Sequence, residues 1–114
     1  LAENYETIIR RNIGTTRARD FYDLHTLFRS RRSEVRPEIL KAAVLHTAQK
    51  RDSLQDIADW REILKDMREE PQLYRLWETY IAENKYIGAL ELNAVFDTVN
   101  EVGELLGFQA EVFV

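Results

Sequence analysis

Charged side chains stand among apolar ones in one short stretch, TTRARDFYDLHTLF, at residues 15–28. At about 100° per residue, a helix would gather four apolar residues of this stretch into one arc: Phe21, Leu24, Leu27 and Phe28. Asp20 falls inside that arc. Because a carboxylate held against apolar side chains must be paired, protonated or used in chemistry, Asp20 is a candidate functional residue.

Two interpretations of Asp20 follow from its neighbours. Arg17 lies on the same face one turn earlier, so an i,i+3 ion pair would tie the start of the helix to the core. Alternatively, the carboxylate borders a cleft and takes part in a reaction. Asp23 lies at the edge of the arc, whereas Arg19 points toward solvent.

The segment DFYDLH also offers metal ligands in Asp20, Asp23 and His25. On a helix, His25 points roughly 140° away from Asp20, so these side chains cannot share one small ion and no self-contained metal site is expected. His46 is a lone histidine that packs or faces solvent. The sequence has no cysteine, Gly-rich phosphate loop or zinc-ligand spacing, so it looks incomplete as an enzyme.

Arginines cluster where this helix would end, at Arg29, Arg31, Arg32 and Arg36. Residues 1–51 hold 11 Lys/Arg against 6 Asp/Glu, and residues 52–114 hold 5 against 14. The basic first half favours contact with a polyanion such as a nucleic acid. The alternative is a solvated surface, in which the arginines are stabilised by the negative end of the helix dipole at the C-terminus.

Glycine and proline are scarce, at 4 and 2 residues, and they separate segments whose apolar residues recur at helical spacing. The pattern predicts an all-α fold, a single helical bundle of about five to six helices. The predicted helices cover residues 1–12, a segment ending near Ser30, residues 37–50, residues 54–67 with a bend near Asp59, a segment from Pro71 to a stop at Gly88, and the segment 91–107, which closes at Gly107.

Several residues are predicted to begin or end these helices. Gly14 would stop the first helix, and Thr15 or Thr16 would cap the second. Ser53 stands three residues before Asp56, which is typical of a capping box. The stretch PQLYRLWETY has helical spacing, which favours core packing over base stacking. The ending FQAEVFV is expected to be extended or frayed.

The 114 residues suit one domain, and 45% hydrophobic residues with 12 aromatic ones suffice for a single core. No apolar run is long enough to cross a bilayer. The absence of cysteine fits a reducing compartment, so we expect a cytoplasmic protein. Since the sequence begins at Leu1 and its only methionine is Met67, we expect it to start inside a longer protein, with any targeting signal upstream.

The segment LAENYETIIRRNIGTTRARDFYDLHTLF resembles the junction segment of the AbiEii/AbiGii family of nucleotidyltransferase-type toxins. In that family a LAEKL helix precedes an arginine- and lysine-rich RxxDxxDLxxL helix. The later stretch DWREILKDMREEPQLYRLWETYIAENKY is similar to the family's helical C-terminal region. Together the two stretches cover nearly the whole chain, and RARDFYDL is the more specific of them.

This resemblance implies a bacterial, cytoplasmic toxin of a toxin–antitoxin or phage-defence (abortive infection) system. Such a toxin transfers a nucleotidyl group from a nucleoside triphosphate to tRNA, and its partner is a cognate antitoxin or its regulator. Residues 1–114 would be the helical C-terminal domain of a larger nucleotidyltransferase-fold protein. Mg²⁺ would be held by an N-terminal half absent from this sequence, so the fragment alone is expected to bind no cofactor and to be inactive.

The resemblance also implies roles for particular residues. The family's fourth motif matches Arg19, Asp20 and Asp23, which makes Asp20 an active-site carboxylate and gives Asp23 a part in holding the constellation. Arg17 or Arg19 would orient Asp20 or contact phosphate.

The sequence departs from the family pattern at Asn4, where the family has lysine. Either Arg11, two turns later on the same face, replaces that charge, or this member is weakened or inactive.

A non-catalytic alternative stays open. In it the chain is a helical interaction module that binds RNA or a partner protein, with Asp20 only a structural counter-ion. In both interpretations Arg29, Arg31 and Arg32 are the predicted nucleic-acid-binding residues.

Overall fold

The computed structural model describes residues 1–14 and 17–108, and within them the predicted all-α fold is confirmed. The described residues contain no β-strand. The helices follow in the order α1 (Ala2–Arg11), α2 (Ala18–Ser30), a 3-10 helix (Arg32–Glu34), α3 (Pro37–Lys50), α4 (Leu54–Ala58), α5 (Trp60–Arg68), α6 (Pro71–Glu83), a second 3-10 helix (Lys85–Ile87) and α7 (Leu92–Leu106).

The bend predicted near Asp59 is a break between two helices. Asp59 is both the C-cap of α4 and the N-cap of α5, and its backbone N–H donates to the carbonyl of Gln55. The side-chain amide of Gln55 donates in turn to the Asp59 carboxylate at 3.1 Å. This break raises the number of α-helices in the described residues to seven, above the predicted five to six.

Asparagine, and not glycine, ends two of the helices. Asn12 follows α1 with a φ of 52°, in place of the predicted stop at Gly14. Asn84 ends α6 four residues before Gly88, because its side-chain amide donates to the carbonyl of Tyr80 at 2.9 Å. The prediction at Gly107 is confirmed, since this residue closes α7 in the left-handed conformation with a φ of 68°.

The core lies where α1 and α7 cross the other helices. Helix α1 packs against α2 and α3, and α7 packs against α2 and α5. Tyr5, Ile8 and Ile9, which recur at helical spacing on one face of α1, are fully buried. The six apolar residues that recur at helical spacing on α7 are also buried: Leu92, Val95, Phe96, Val99, Val102 and Leu106. The amphipathic pattern therefore placed the core correctly on both helices.

One close approach within the core depends on glycine. A Cβ built on Gly103 of α7 would lie 2.6 Å from the Trp60 ring of α5, closer than real Cβ atoms approach. Trp60 is fully buried, and its indole N–H donates to the carbonyl of Phe108 at 3.2 Å. The absence of a side chain at position 103 lets the indole of Trp60 approach the backbone of α7 closely.

Two predictions lie wholly or mostly outside the described residues. Thr15 and Thr16, the predicted caps of α2, are not described, and neither is the segment 109–114 that forms most of the predicted extended ending. Among the described residues no helix has both the length and the apolar character that crossing a bilayer requires.

Candidate functional site

Asp20 lies in the first turn of α2, on the apolar arc that the sequence predicted. The residue is 8% exposed, beside the buried residues Ala18, Phe21 and Leu24. The Arg17 guanidinium forms an ion pair with it, with Nε 3.5 Å from Oδ2. The same Oδ2 atom accepts no hydrogen bond from the described residues. Asp20 is thus a nearly buried carboxylate whose ion-pair partner Arg17 is itself 70% exposed.

Arg19 and Asp23 form a second ion pair one turn along α2. Nε of Arg19 lies 3.6 Å from Oδ2 of Asp23, and both side chains reach solvent. The structure therefore brings four predicted site residues together at the start of α2: Arg17 at the N-cap, and Arg19, Asp20 and Asp23 in the first two turns. We call these four residues the α2 charged face.

Arg11 is not part of that helix. It is the last residue of α1, and its side chain is half-buried, as is that of Asn4 in the first turn of α1. A surface cavity of about 380 Å³ lies where the chain leaves α1 and meets α6, and its walls include Ile13, Gly14 and Leu76. Asp20 is not one of its lining residues.

Two arginines of the predicted nucleic-acid patch share one carboxylate. Glu101 of α7 lies 3.2 Å from the guanidinium of Arg29 and 3.5 Å from that of Arg32. Arg31 and Arg36 are exposed beside them. The four arginines do cluster at the end of α2, but α7 offsets part of their charge.

His25 faces α7 instead of joining the aspartates. Its Nδ1 lies 2.8 Å from the Thr98 hydroxyl, and that hydroxyl can also donate to the carbonyl of Ala94. The Nδ1 atom and the Thr98 hydroxyl thus share a hydrogen bond in which the tautomer of His25 decides which group donates. Burial, with the nearby Arg29 charge, lowers the pKa of His25. Among residues 1–14 and 17–108, no group of three or more His, Cys, Asp or Glu side chains could hold a metal ion.

A fully buried carboxylate, Glu6 of α1, is not among the predicted site residues. It accepts hydrogen bonds from Arg10 at 2.8 Å, from Arg51 at 2.8 Å and from the hydroxyl of Ser53 at 2.7 Å. The predicted capping-box role of Ser53 is therefore wrong, because its hydroxyl binds Glu6 and not the backbone of α4. The i,i+4 spacing of Glu6 and Arg10 is the signal that was available.

Three tyrosines form a cluster beside the α2 charged face. Tyr22 of α2 lies 6.4 Å from the Tyr80 ring and 5.8 Å from the Tyr86 ring, measured between centroids. Burial, the neighbouring Tyr86 hydroxyl and the Asp23 charge raise the pKa of Tyr80 to about 12, and the Arg19 charge acts in the opposite sense. Arg19 stands three residues before Tyr22 on α2, and Asp23 is the residue after it.

These features define an all-helical domain with paired carboxylates and guanidinium groups at the start of its second helix. The model of one family, described as nucleotidyl transferase AbiEii toxin of a type IV toxin–antitoxin system, matches residues 1–100. The chain belongs to this family of toxin–antitoxin nucleotidyltransferases, as its sequence resemblance indicated. Neither the curated proteins nor the solved structures include a significant match to it.

Proposed function

We propose that residues 1–114 are the helical C-terminal domain of an AbiEii-type toxin that transfers a nucleotidyl group to tRNA. In this proposal the domain supplies one wall of the nucleotide and tRNA site. Asp20 is the active-site carboxylate, and Asp23 holds Arg19 in place. Arg17, Arg19 and Arg11 contact the triphosphate. The family match supports the toxin–antitoxin nucleotidyltransferase class, and the residue roles are the further step.

The observation that carries the proposal is the environment of Asp20. Its Oδ2 atom is buried and accepts no hydrogen bond from the described residues. A carboxylate oxygen in such a place costs free energy unless something else uses it. Arg17, the ion-pair partner of Asp20, is 70% exposed. Because the Arg17 guanidinium already faces solvent, it can bind an incoming phosphate.

The implied Mg²⁺ does not fit these residues alone. In the described part of the chain no three ligand side chains converge, and Asp20 already faces a guanidinium. In our proposal the ion is held by carboxylates outside this sequence. When bound there, it would offset charge on the triphosphate. The role of residues 1–114 is then to position the phosphates with arginine side chains and to close the cleft with the α2 charged face.

The partners follow from the same proposal. The substrates are a nucleoside triphosphate and tRNA, the protein acts in the bacterial cytoplasm, and a cognate antitoxin or its regulator counters it. Its biological setting would be toxin–antitoxin control or abortive infection as a phage defence.

The test is a conservative change of Asp20 in the longer protein. Asp20→Asn keeps the size of the side chain and removes its charge, so nucleotide transfer to tRNA should fall by about 100-fold or more, as for loss of a catalytic carboxylate. Transfer is measured with an α-labelled nucleoside triphosphate. Asp66→Asn on α5 is the control, because Asp66 is exposed and outside the α2 charged face. Unchanged transfer by Asp20→Asn would overturn the catalytic assignment.

The Arg17–Asp20 ion pair favours one alternative function, a non-catalytic module that binds RNA or a partner protein. In that case Asp20 only balances Arg17. Asp20→Asn would then lower the melting temperature without changing transfer, whereas the catalytic role predicts loss of transfer by a folded protein.

A further inference from the structure

The tyrosine cluster is the most exposed aromatic surface in the described residues. Tyr86, in the 3-10 helix after α6, is 71% exposed. Tyr22 and Tyr80 are half-buried beneath it. Tyr80 in turn contacts the buried Trp77, with ring centroids 5.7 Å apart. The outer ring is therefore supported from the core outward by other aromatic rings.

Contacts with its neighbours hold the Tyr86 ring in place. It meets Tyr22 edge to face, with 5.8 Å between the ring centroids and an angle of 80° between the ring planes. An exposed ring held in this way loses little conformational entropy when a ligand stacks on it. Core packing explains Trp77 and part of Tyr80, but it leaves the exposure of Tyr86 unexplained.

The charge beside the cluster selects the kind of ligand. Arg19 stands one helical turn before Tyr22 on α2 and is 79% exposed, so its guanidinium is free to contact a phosphate beyond its pair with Asp23. Single-stranded nucleic acids are bound by aromatic rings that stack on bases, together with cations that contact the backbone. A stacking ring and a phosphate-binding cation side by side fit one nucleotide of an unpaired strand.

We propose that Tyr86, supported by Tyr22 and Tyr80, is a stacking platform for an unpaired RNA base, with Arg19 on the adjacent phosphate. The inference rests on the proposed function in one respect, namely that the bound strand is RNA leading to the α2 charged face. The platform would hold an unpaired end next to Asp20 and Asp23 while the reaction takes place.

Binding of a single-stranded oligonucleotide by the 114-residue chain tests this inference without any catalysis. The probe is a fluorescently labelled 12-nucleotide oligo(A) RNA, and affinity is measured by anisotropy. Tyr86→Ala should weaken binding by roughly tenfold, within the range for losing one stacked base. Tyr86→Phe should bind like the parent chain, and Tyr86→Leu should lose most of the affinity because it keeps apolar area without a ring.

Two comparisons separate stacking from other causes. Ile39→Ala removes an exposed apolar side chain, 57% exposed on α3, and should leave affinity unchanged. Arg19→Gln should reduce the dependence of log affinity on log salt by about 0.7, whereas Tyr86→Ala should leave that slope intact. Circular dichroism of each variant reports whether the helices are retained.

The inference is overturned if Tyr86→Ala binds the oligonucleotide as tightly as Tyr86→Phe. It is also overturned if the Tyr86→Ala loss is equal for a fully paired RNA duplex, since a paired base offers no free face. Because this binding assay does not measure nucleotide transfer, a negative result for Tyr86 does not affect the test of Asp20. Loss of transfer by Asp20→Asn with no effect of Tyr86→Ala on binding would keep the proposed function and reject the platform.

Discussion

The Ser53 hydroxyl donates a 2.7 Å hydrogen bond to the Glu6 carboxylate, across 47 positions of the chain. Arg51 donates to the other carboxylate oxygen of Glu6 and also contacts the Thr7 hydroxyl at 3.1 Å. These contacts join α1 to the connection between α3 and α4. Glu6 is a buried charge whose two oxygens are both satisfied, which is the condition under which burial of a carboxylate is tolerated.

Glu6→Ala should lower the free energy of unfolding by about 2 to 4 kcal/mol. The reason is that Ser53 loses its buried acceptor, and Arg10 and Arg51 lose their shared carboxylate. Urea denaturation of the 114-residue chain measures the change. Glu3→Ala is the matched control, because Glu3 is an exposed carboxylate on the same helix, and its effect should stay within about 0.5 kcal/mol. Equal effects of the two substitutions would contradict a structural role for Glu6.

His25 should make stability depend on pH. Its pKa in the folded chain is lower than the ordinary value of 6.5, so the unfolded chain binds the proton more readily. The contribution of neutral His25 is then complete above pH 6.5 and is lost as the pH falls below it. The free energy of unfolding of the parent chain should therefore fall more between pH 7.5 and about 5.5 than that of His25→Gln.

Urea denaturation at a series of pH values makes this comparison. His46→Gln is the control, because it removes the other histidine and leaves the contact between His25 and Thr98 in place. Parallel pH profiles for the parent chain and His25→Gln would show that His25 does not carry this dependence.

Glu101 should restrain RNA binding by the arginine cluster. If Arg29, Arg31 and Arg32 contact RNA, replacing all three by Ala should weaken binding and flatten its salt dependence. Glu101→Gln should have the opposite effect, a gain of several-fold at low salt, because it releases Arg29 and Arg32 from their shared ion pair. Anisotropy titrations at several salt concentrations measure both changes.

Glu104→Gln is the matched control for this experiment. Glu104 also lies on α7, but it pairs with Arg61, outside the cluster. Its replacement should change RNA affinity less than Glu101→Gln does. Identical gains from the two variants would mean that only net charge matters and would remove the predicted patch from the binding surface.

The presence of the helices could be predicted because the helix-breaking residues of this chain fall between the segments that have helical apolar spacing. Pro37 and Pro71 each stand at the first position of a helix, as their missing N–H allows. Helix ends were harder, since an asparagine side chain competes for backbone groups and stops a helix before the next glycine does. Asn84 is the clear example, with its amide on the carbonyl of Tyr80.

The candidate site was partly predictable for a related reason. The helical wheel placed Asp20 on the apolar arc and Arg17 beside it, and both positions are confirmed. Their catalytic roles stay a prediction. Contacts between distant segments carry no local signal, so the sequence could not show that Glu101 meets Arg29 or that Tyr86 rests on Tyr22. Such pairs depend on how α2 meets α7 and the chain after α6.

The Trp60 indole connects two parts of the molecule that sequence alone treats as independent. One side of the ring faces Gly103, and its N–H binds the carbonyl of Phe108, next to the last residues of the chain. A methyl group at position 103 would have to push the ring aside, and the anchor at Phe108 would move with it. The spacing between α5 and α7 and the position of the Phe108 carbonyl therefore both depend on the absence of a side chain at position 103.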